Sequence, residues 1–186
     1  MPEEANERLV KLYLEAKGFL VFTHHKALVA KRTRLEADIV AIRLHEENDN
    51  LPNRIIGEVK AWEIGPKHFR ALSDRLQMSP DEQSIRSFKI LNNPTYRETF
   101  LTSVEERYGK GFEFCIFANI QKKYEGKILE FLREERIWFV SHREVVQAII
   151  KNALKEKYSN DSELQLIRLM NKFGFLREDN QRVKPT

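Results

Sequence analysis

Cysteine is nearly absent from this sequence, since Cys115 is the single one among 186 residues. A lone cysteine excludes an internal disulfide framework and a cysteine-rich zinc site. Its position in the apolar run FEFCIFA indicates a small buried side chain. The start of the chain, MPEEANER, lacks the pattern of a secretory signal, so we expect a cytoplasmic protein.

Long apolar runs and a strong charge of one sign are also missing. No run approaches the roughly 18 apolar residues that a membrane-spanning helix needs, so no membrane partner is expected. The chain has 32 Lys and Arg against 28 Asp and Glu, a net charge of +4. An excess this small is weak evidence for a nucleic-acid partner, and any binding face must come from local clustering of the basic residues.

The hydrophobic fraction of 41% is sufficient for one real core. The order of elements predicts an α/β sandwich with a central mixed β-sheet flanked by helices. Strands are predicted over residues 19–23, 35–44, 54–62, 112–118 and 137–140. Helices are predicted over residues 3–17, 66–77, from 80, from 94 to about 109, 122–135, 142–157 and 162–172. We therefore expect one α/β core over residues 1–158 and a small helical appendage over residues 159–186.

Three helix starts have a specific local signal. Ser79-Pro80 and Asn93-Pro94 each combine a capping residue with proline at the first helical position. Ser141 with Glu144 three residues later fits a capping box.

Acids and a lysine interrupt two otherwise apolar strands. The short polar connection 45–53 favours an antiparallel hairpin of these strands. Residues two apart share one face of a strand, so Glu58 and Lys60 project together and Asp38 can lie opposite them. Charges clustered in an apolar sheet need compensation, and a bound cation is the usual solution for carboxylates. Glu36 fits a solvated acid at a strand start better than a ligand.

The spacing of these residues resembles the signature of the PD-(D/E)XK nuclease superfamily, which has a restriction endonuclease-like fold. Glu58-Val59-Lys60 begins 20 positions after Asp38, although Ala37 stands where the motif is named for proline. The first third of the chain is most similar to archaeal Holliday-junction resolvases, through Glu7-Arg8, Gly18-Phe19, Asp38-Ile39-Val40 and Glu58-Val59-Lys60. The stretch 63–108 is longer and more helical than a minimal resolvase needs.

The resemblance implies a Mg²⁺-dependent deoxyribonuclease, with Mn²⁺ able to substitute, in DNA repair, recombination or defence. Asp38, Glu58 and the backbone carbonyl of Val59 would bind the metal. Glu7 would be a further metal or water ligand in the catalytic set, and a solvated acid at the helix edge is the alternative for it. Lys60 would orient or deprotonate the attacking water, and beside the bound cations and partly desolvated we expect its pKa to be lowered. A homodimer is compatible with this resemblance. The alternative is a catalytically inactive nucleic-acid-binding or protein-interaction module on the same fold.

Basic residues near the hairpin are candidates for DNA contacts. The stretch 26–34 contains no acid before the second strand and is expected to form a phosphate-contact loop, with residues 67 and 70 flanking the same groove; solvated surface is the alternative. The residues concerned are Lys26, Lys31, Arg32, Arg34, Lys67 and Arg70. The adjacent His24 and His25 should point to opposite faces and not share an ion. Trp62 and Trp138 fit core or strand-end positions better than a base-stacking platform.

Overall fold

The computed structural model describes residues 2–30, 33–45, 50–78, 88–155 and 165 of the chain. Within these ranges, five strands form one mixed sheet in the order β1-β2-β3-β4-β5. The strands are β1 Phe19–Ala30, β2 Thr33–Arg43, β3 Arg54–Ile64, β4 Glu113–Ile120 and β5 Trp138–Ser141. β1, β2 and β3 pair antiparallel, whereas β3, β4 and β5 run parallel. The predicted hairpin and the predicted mixed sheet are thereby confirmed.

Helices cover both faces of the sheet. They are α1 Pro2–Glu15, α2 Arg70–Arg75, α3 Pro94–Tyr108, α4 Glu125–Glu134 and α5 His142–Lys155. Two of the predicted helix starts are confirmed. The Asn93 side chain accepts the backbone N–H of Tyr96, and Ser141 Oγ accepts the backbone N–H of Glu144. These bonds satisfy N–H groups that the first turn of a helix leaves without intrahelical partners.

Two apolar clusters hold the layers together. On one face, α1 and α5 pack on the sheet through a cluster that includes Val10, Leu14, Ile39, Phe117, Val145 and Ile149. On the other face, α2, α3 and α4 contribute to a cluster that includes Leu72, Phe88, Phe100, Ile116 and Phe131. Cys115 is fully buried in β4, as predicted, and burial raises the pKa of its thiol.

The first hairpin is longer than the sheet behind it. β1 pairs with β2 from Phe19 to Ala30, but β2 pairs with β3 only over residues 39–42. Residues 24–30 and 33–38 therefore form a two-stranded ribbon, which we call the β1–β2 arm. The predicted loop over residues 26–34 is wrong, because Lys26 and Arg34 lie within strands of this arm. Polar side chains are compatible with a strand whose face meets water.

Some predicted elements differ from the structure or lie outside the described residues. The predicted helix 66–77 is divided into a 3₁₀ turn, Pro66–His68, and the short α2. The helix expected from Pro80 and the helix expected over 162–172 fall outside the described residues, apart from Gln165. Lys31 and Arg32 also lie outside them. In the part of the chain that the structure describes, no helix combines the length and apolarity needed to cross a membrane.

Candidate active site

Asp38 lies where β2 and β3 separate. Their paired residues end at Ile39 and Gly57, next to Asp38 on β2. Beyond this point, the backbone N–H of Val59 donates to Asp38 Oδ2 at 2.7 Å. The carboxylate thus replaces a backbone carbonyl as the acceptor for an N–H group of β3. This hydrogen bond fixes the position of the carboxylate between the two diverging strands.

Lys60 bridges the two predicted acids. Its Nζ lies 3.3 Å from Asp38 Oδ2 and 3.1 Å from Glu58 Oε2. Glu58 is 6% exposed and Lys60 is 8% exposed, so these charged groups are largely withdrawn from water. The structure therefore brings together the three residues that strand alternation predicts on one face of the hairpin.

Electrostatics distinguish the two neighbouring charges on β3. Burial raises the pKa of Glu58 to about 7; the Lys60 cation opposes this shift and the Asp38 charge adds to it. Burial disfavours the charged form of Lys60, but the carboxylates of Glu58 and Asp38 outweigh it and raise the lysine pKa. Without a bound cation the pKa of Lys60 is therefore raised, because the lysine has two anionic neighbours; its lowering beside a bound cation stays a prediction.

The three residues open onto a cavity of about 320 Å³. Two exposed cations, Arg34 from the β1–β2 arm and Lys89 from the segment 88–92, also line it. Lys89 was not predicted as a site residue. No local pattern marks it, because the chain folds the segment 88–92 against the hairpin from a distant position. The cavity therefore combines the buried Glu58 and the partly buried Asp38 with two cations and the exposed acid Glu36.

Glu7 occupies a neighbouring cleft. Its largely buried carboxylate places Oε2 3.3 Å from His24 Nε2, and His24 Nδ1 lies 2.8 Å from Glu36 Oε1. Glu7 and His24 line a second cavity of about 320 Å³ between α1 and β1, together with Thr23. Glu36 in turn lines the cavity of Asp38. Glu7 thus connects to the predicted site through His24 and Glu36, and its role as a metal ligand stays a prediction.

The two adjacent histidines have separate environments, as expected. His24 has a φ of 56°, a left-handed conformation that is uncommon for residues other than glycine. His25 is buried, and its ring meets the rings of Phe100 and Tyr108. A shared metal ion is therefore not supported by their placement.

Three other described members of the predicted DNA-contact set have separate surroundings. Lys26 Nζ lies 3.3 Å from Glu36 Oε2 on the arm. Lys67 is exposed in the 3₁₀ turn that follows β3. Arg70 lines a different groove of about 210 Å³, and its backbone N–H donates to Asn92 Oδ1. Among the described members of the predicted set, Arg34 borders the Asp38 cavity.

Both tryptophans are more accessible than predicted. Trp62 is 42% exposed and Trp138 is 37% exposed, so the core assignment is wrong for each. The strand-end assignment holds, because Trp138 begins β5 and Trp62 lies near the end of β3.

The side-chain oxygens at the cavity determine whether a divalent cation could bind there. Among the described residues, no group of three or more His, Cys, Asp or Glu side chains has an arrangement that would hold a metal ion. Mg²⁺ needs fewer protein ligands than that, because it binds through one or two carboxylates and keeps several waters. Asp38 and Glu58 fit this requirement, since both reach the same ammonium and both line the cavity. The Val59 carbonyl as a further ligand stays a prediction.

No family model matches this sequence, and neither the curated proteins nor the solved structures contain a match to it.

Proposed function

We propose that this protein is a metal-dependent nuclease that hydrolyses phosphodiester bonds of DNA. The observation that carries the proposal is the convergence of Asp38, Glu58 and Lys60 at one cavity between diverging strands. The sequence resemblance to PD-(D/E)XK nucleases supports it, and so does the mixed α/β sheet. Repair, recombination or defence, and a cytoplasmic location, remain part of the proposal.

The carboxylates would have distinct tasks. Asp38 and Glu58 would hold Mg²⁺ or Mn²⁺, which would neutralise the charge that develops on the phosphate during hydrolysis. The raised pKa of Glu58 supports such a role, because burial disfavours its ionised form. A nearby cation would stabilise that ionised form. Asp38 is held in place by the Val59 N–H, so its orientation does not depend on substrate.

Lys60 would act as a charged group. Since the carboxylates raise its pKa, it is an ammonium at neutral pH while no metal ion is bound. An ammonium in this cavity would hydrogen-bond the attacking water or a phosphate oxygen and would stabilise negative charge. Arg34 and Lys89 would contact flanking phosphates without reading bases.

Cleavage of linear duplex, single-stranded and branched DNA tests the proposal. We expect cleavage with Mg²⁺ or Mn²⁺, none with EDTA, and a loss of at least about 100-fold in Lys60→Ala. Lys127→Ala is the matched control, because Lys127 is an exposed lysine on α4. Equal cleavage by Lys60→Ala and Lys127→Ala, or cleavage that persists in EDTA, would contradict the proposal.

A second function, DNA binding without cleavage, has one observation in its favour. Lys60 already supplies a cation to both carboxylates, so the cluster is partly compensated without any metal. Salt-sensitive binding with no cleavage on any of these substrates, under either metal, would favour this function.

A further inference from the structure

Trp62 exposes its indole on β3, the strand that also contains Glu58 and Lys60. It follows Lys60 by two residues on β3 and is 42% exposed. The other tryptophan provides a contrast, because the Trp138 indole donates to Glu113 Oε2 at 2.8 Å. The Trp62 ring makes no hydrogen bond or ring contact with the residues that the structure describes.

Trp62 lies in a stretch of β3 where the pairing register with β4 shifts. Val59 pairs with Phe117 and Glu63 pairs with Asn119, so three residues of β3 stand opposite one residue of β4. Such bulges redirect side chains and are common next to active sites. The same irregular stretch contains both Lys60 and Trp62.

This part of the sheet is also where ligands of parallel sheets usually bind. β3 and β4 run parallel, and the backbone N–H of Gln121 donates to the carbonyl of Ile64, which joins their carboxyl ends. Ligands of such sheets lie in crevices outside the carboxyl ends of the strands. Exposed Lys67 and Lys122 follow these two strand ends, and exposed acids lie nearby in sequence, Glu63 before Lys67 and Glu125 after Lys122.

We propose that Trp62 stacks on an unpaired base of the nucleic acid whose backbone enters the Asp38–Lys60 cavity. This inference rests on the proposed function and makes it more specific. A base paired inside a duplex has both faces covered by its neighbours, whereas an unpaired base offers a face to an aromatic ring. Stacking tolerates any base, so the preferred substrate is single-stranded DNA or DNA with an unpaired segment, without a sequence requirement.

Fluorescence tests the contact directly, because the chain has two tryptophans. In Trp138→Phe, Trp62 is the remaining emitter, and we expect saturable quenching by an oligothymidylate strand in EDTA. In Trp62→Phe, where Trp138 is the emitter, we expect no quenching. Quenching of Trp138 alone, or of neither tryptophan, would overturn the inference.

Affinity gives a second measurement. Trp62→Ala should weaken single-strand binding by about 5- to 100-fold, and Trp62→Phe should recover most of the loss. Trp138→Ala is the matched control and should bind like the parent. In cleavage assays, Trp62→Ala should raise KM with kcat within about twofold, as expected for lost binding rather than lost chemistry. Unchanged single-strand affinity in Trp62→Ala would overturn the inference.

The two proposals fail in different ways. Cleavage that depends on Lys60 but not on Trp62 would overturn only the stacking contact. Quenching and affinity loss at Trp62 without cleavage under any metal would retain the stacking contact and overturn the nuclease.

Discussion

The backbone N–H of Val59 and the carboxylate of Asp38 form a 2.7 Å hydrogen bond that continues the contact between β2 and β3 after their pairing ends. Asp38 therefore has a structural role alongside any catalytic one. An unsatisfied N–H in a buried strand costs about 1–3 kcal/mol.

This bond predicts different costs for two substitutions. Asp38→Ala should lower the free energy of unfolding by about 1–3 kcal/mol, because Val59 loses its acceptor. Asp38→Asn should lose less, because the amide oxygen can still accept. Urea denaturation without metal measures both values. Equal losses in the two variants would show that the negative charge of Asp38, and not its acceptor, stabilises the fold.

Metal binding should appear as stabilisation. Mg²⁺ at about 100 times its Kd would add about 2.7 kcal/mol, which a thermal melt detects as a rise in Tm. We expect this rise in the parent and in Glu106→Gln, an exposed acid on α3, but not in Asp38→Asn or Glu58→Gln. A rise of the same size in Asp38→Asn and Glu58→Gln would place the ion elsewhere.

The raised pKa of Glu58 predicts a pH dependence of stability without metal. The folded protein holds the Glu58 proton up to about pH 7, whereas the unfolded chain releases it near pH 4.5. The folded state binds more protons between these values, so the Glu58 contribution to stability falls as pH rises, by about 3 kcal/mol in total. Three histidines with lowered pKa values, the buried His25 and His68 and the partly buried His142, act in the opposite direction.

The difference in the free energy of unfolding between the parent and Glu58→Gln isolates the Glu58 contribution. In urea titrations with EDTA from pH 5 to pH 8, Glu58→Gln should gain stability relative to the parent as pH rises, up to about pH 7. A difference that stays constant with pH would mean that Glu58 ionises normally.

Arg34 and Lys89 should contribute to DNA affinity through charge. Replacing either by alanine removes one cation from the cavity wall. Each replacement should reduce the slope of log K against log salt by about 1 if the cation meets a phosphate. Filter binding at several salt concentrations in EDTA measures this, with Lys127→Ala as the control. A full slope in Lys89→Ala would exclude the contact for that residue.

Local patterns were sufficient to predict the five strands and the three residues at the centre of the candidate site. Alternation in two apolar strands placed Asp38, Glu58 and Lys60 together, and capping residues identified the starts of α3 and α5. These features depend on neighbours within a few positions along the chain or across one hairpin.

Other features depend on contacts that no local pattern contains. Lys89 reaches the cavity because the segment 88–92 packs on the sheet through Phe88 and Ile90. Trp62 is exposed where the pairing register of β3 with β4 shifts. The sequence predicts a loop over residues 26–34 because the basic residues there have little strand propensity, although the pairing of β1 with β2 determines the conformation. The pKa direction of Lys60 required both carboxylates to be placed around it.

The buried Cys115 makes the local stability of the interior strand β4 measurable by chemical modification. Its thiol is fully enclosed in β4, which pairs with β3 at Gly57 and with β5 at Trp138. A thiol reagent reacts with the exposed thiolate, so modification requires β4 to become accessible. With one cysteine in the chain, the rate of modification reports a single opening event. Slower labelling in the presence of Mg²⁺ or an oligonucleotide would reveal binding before any substrate is known.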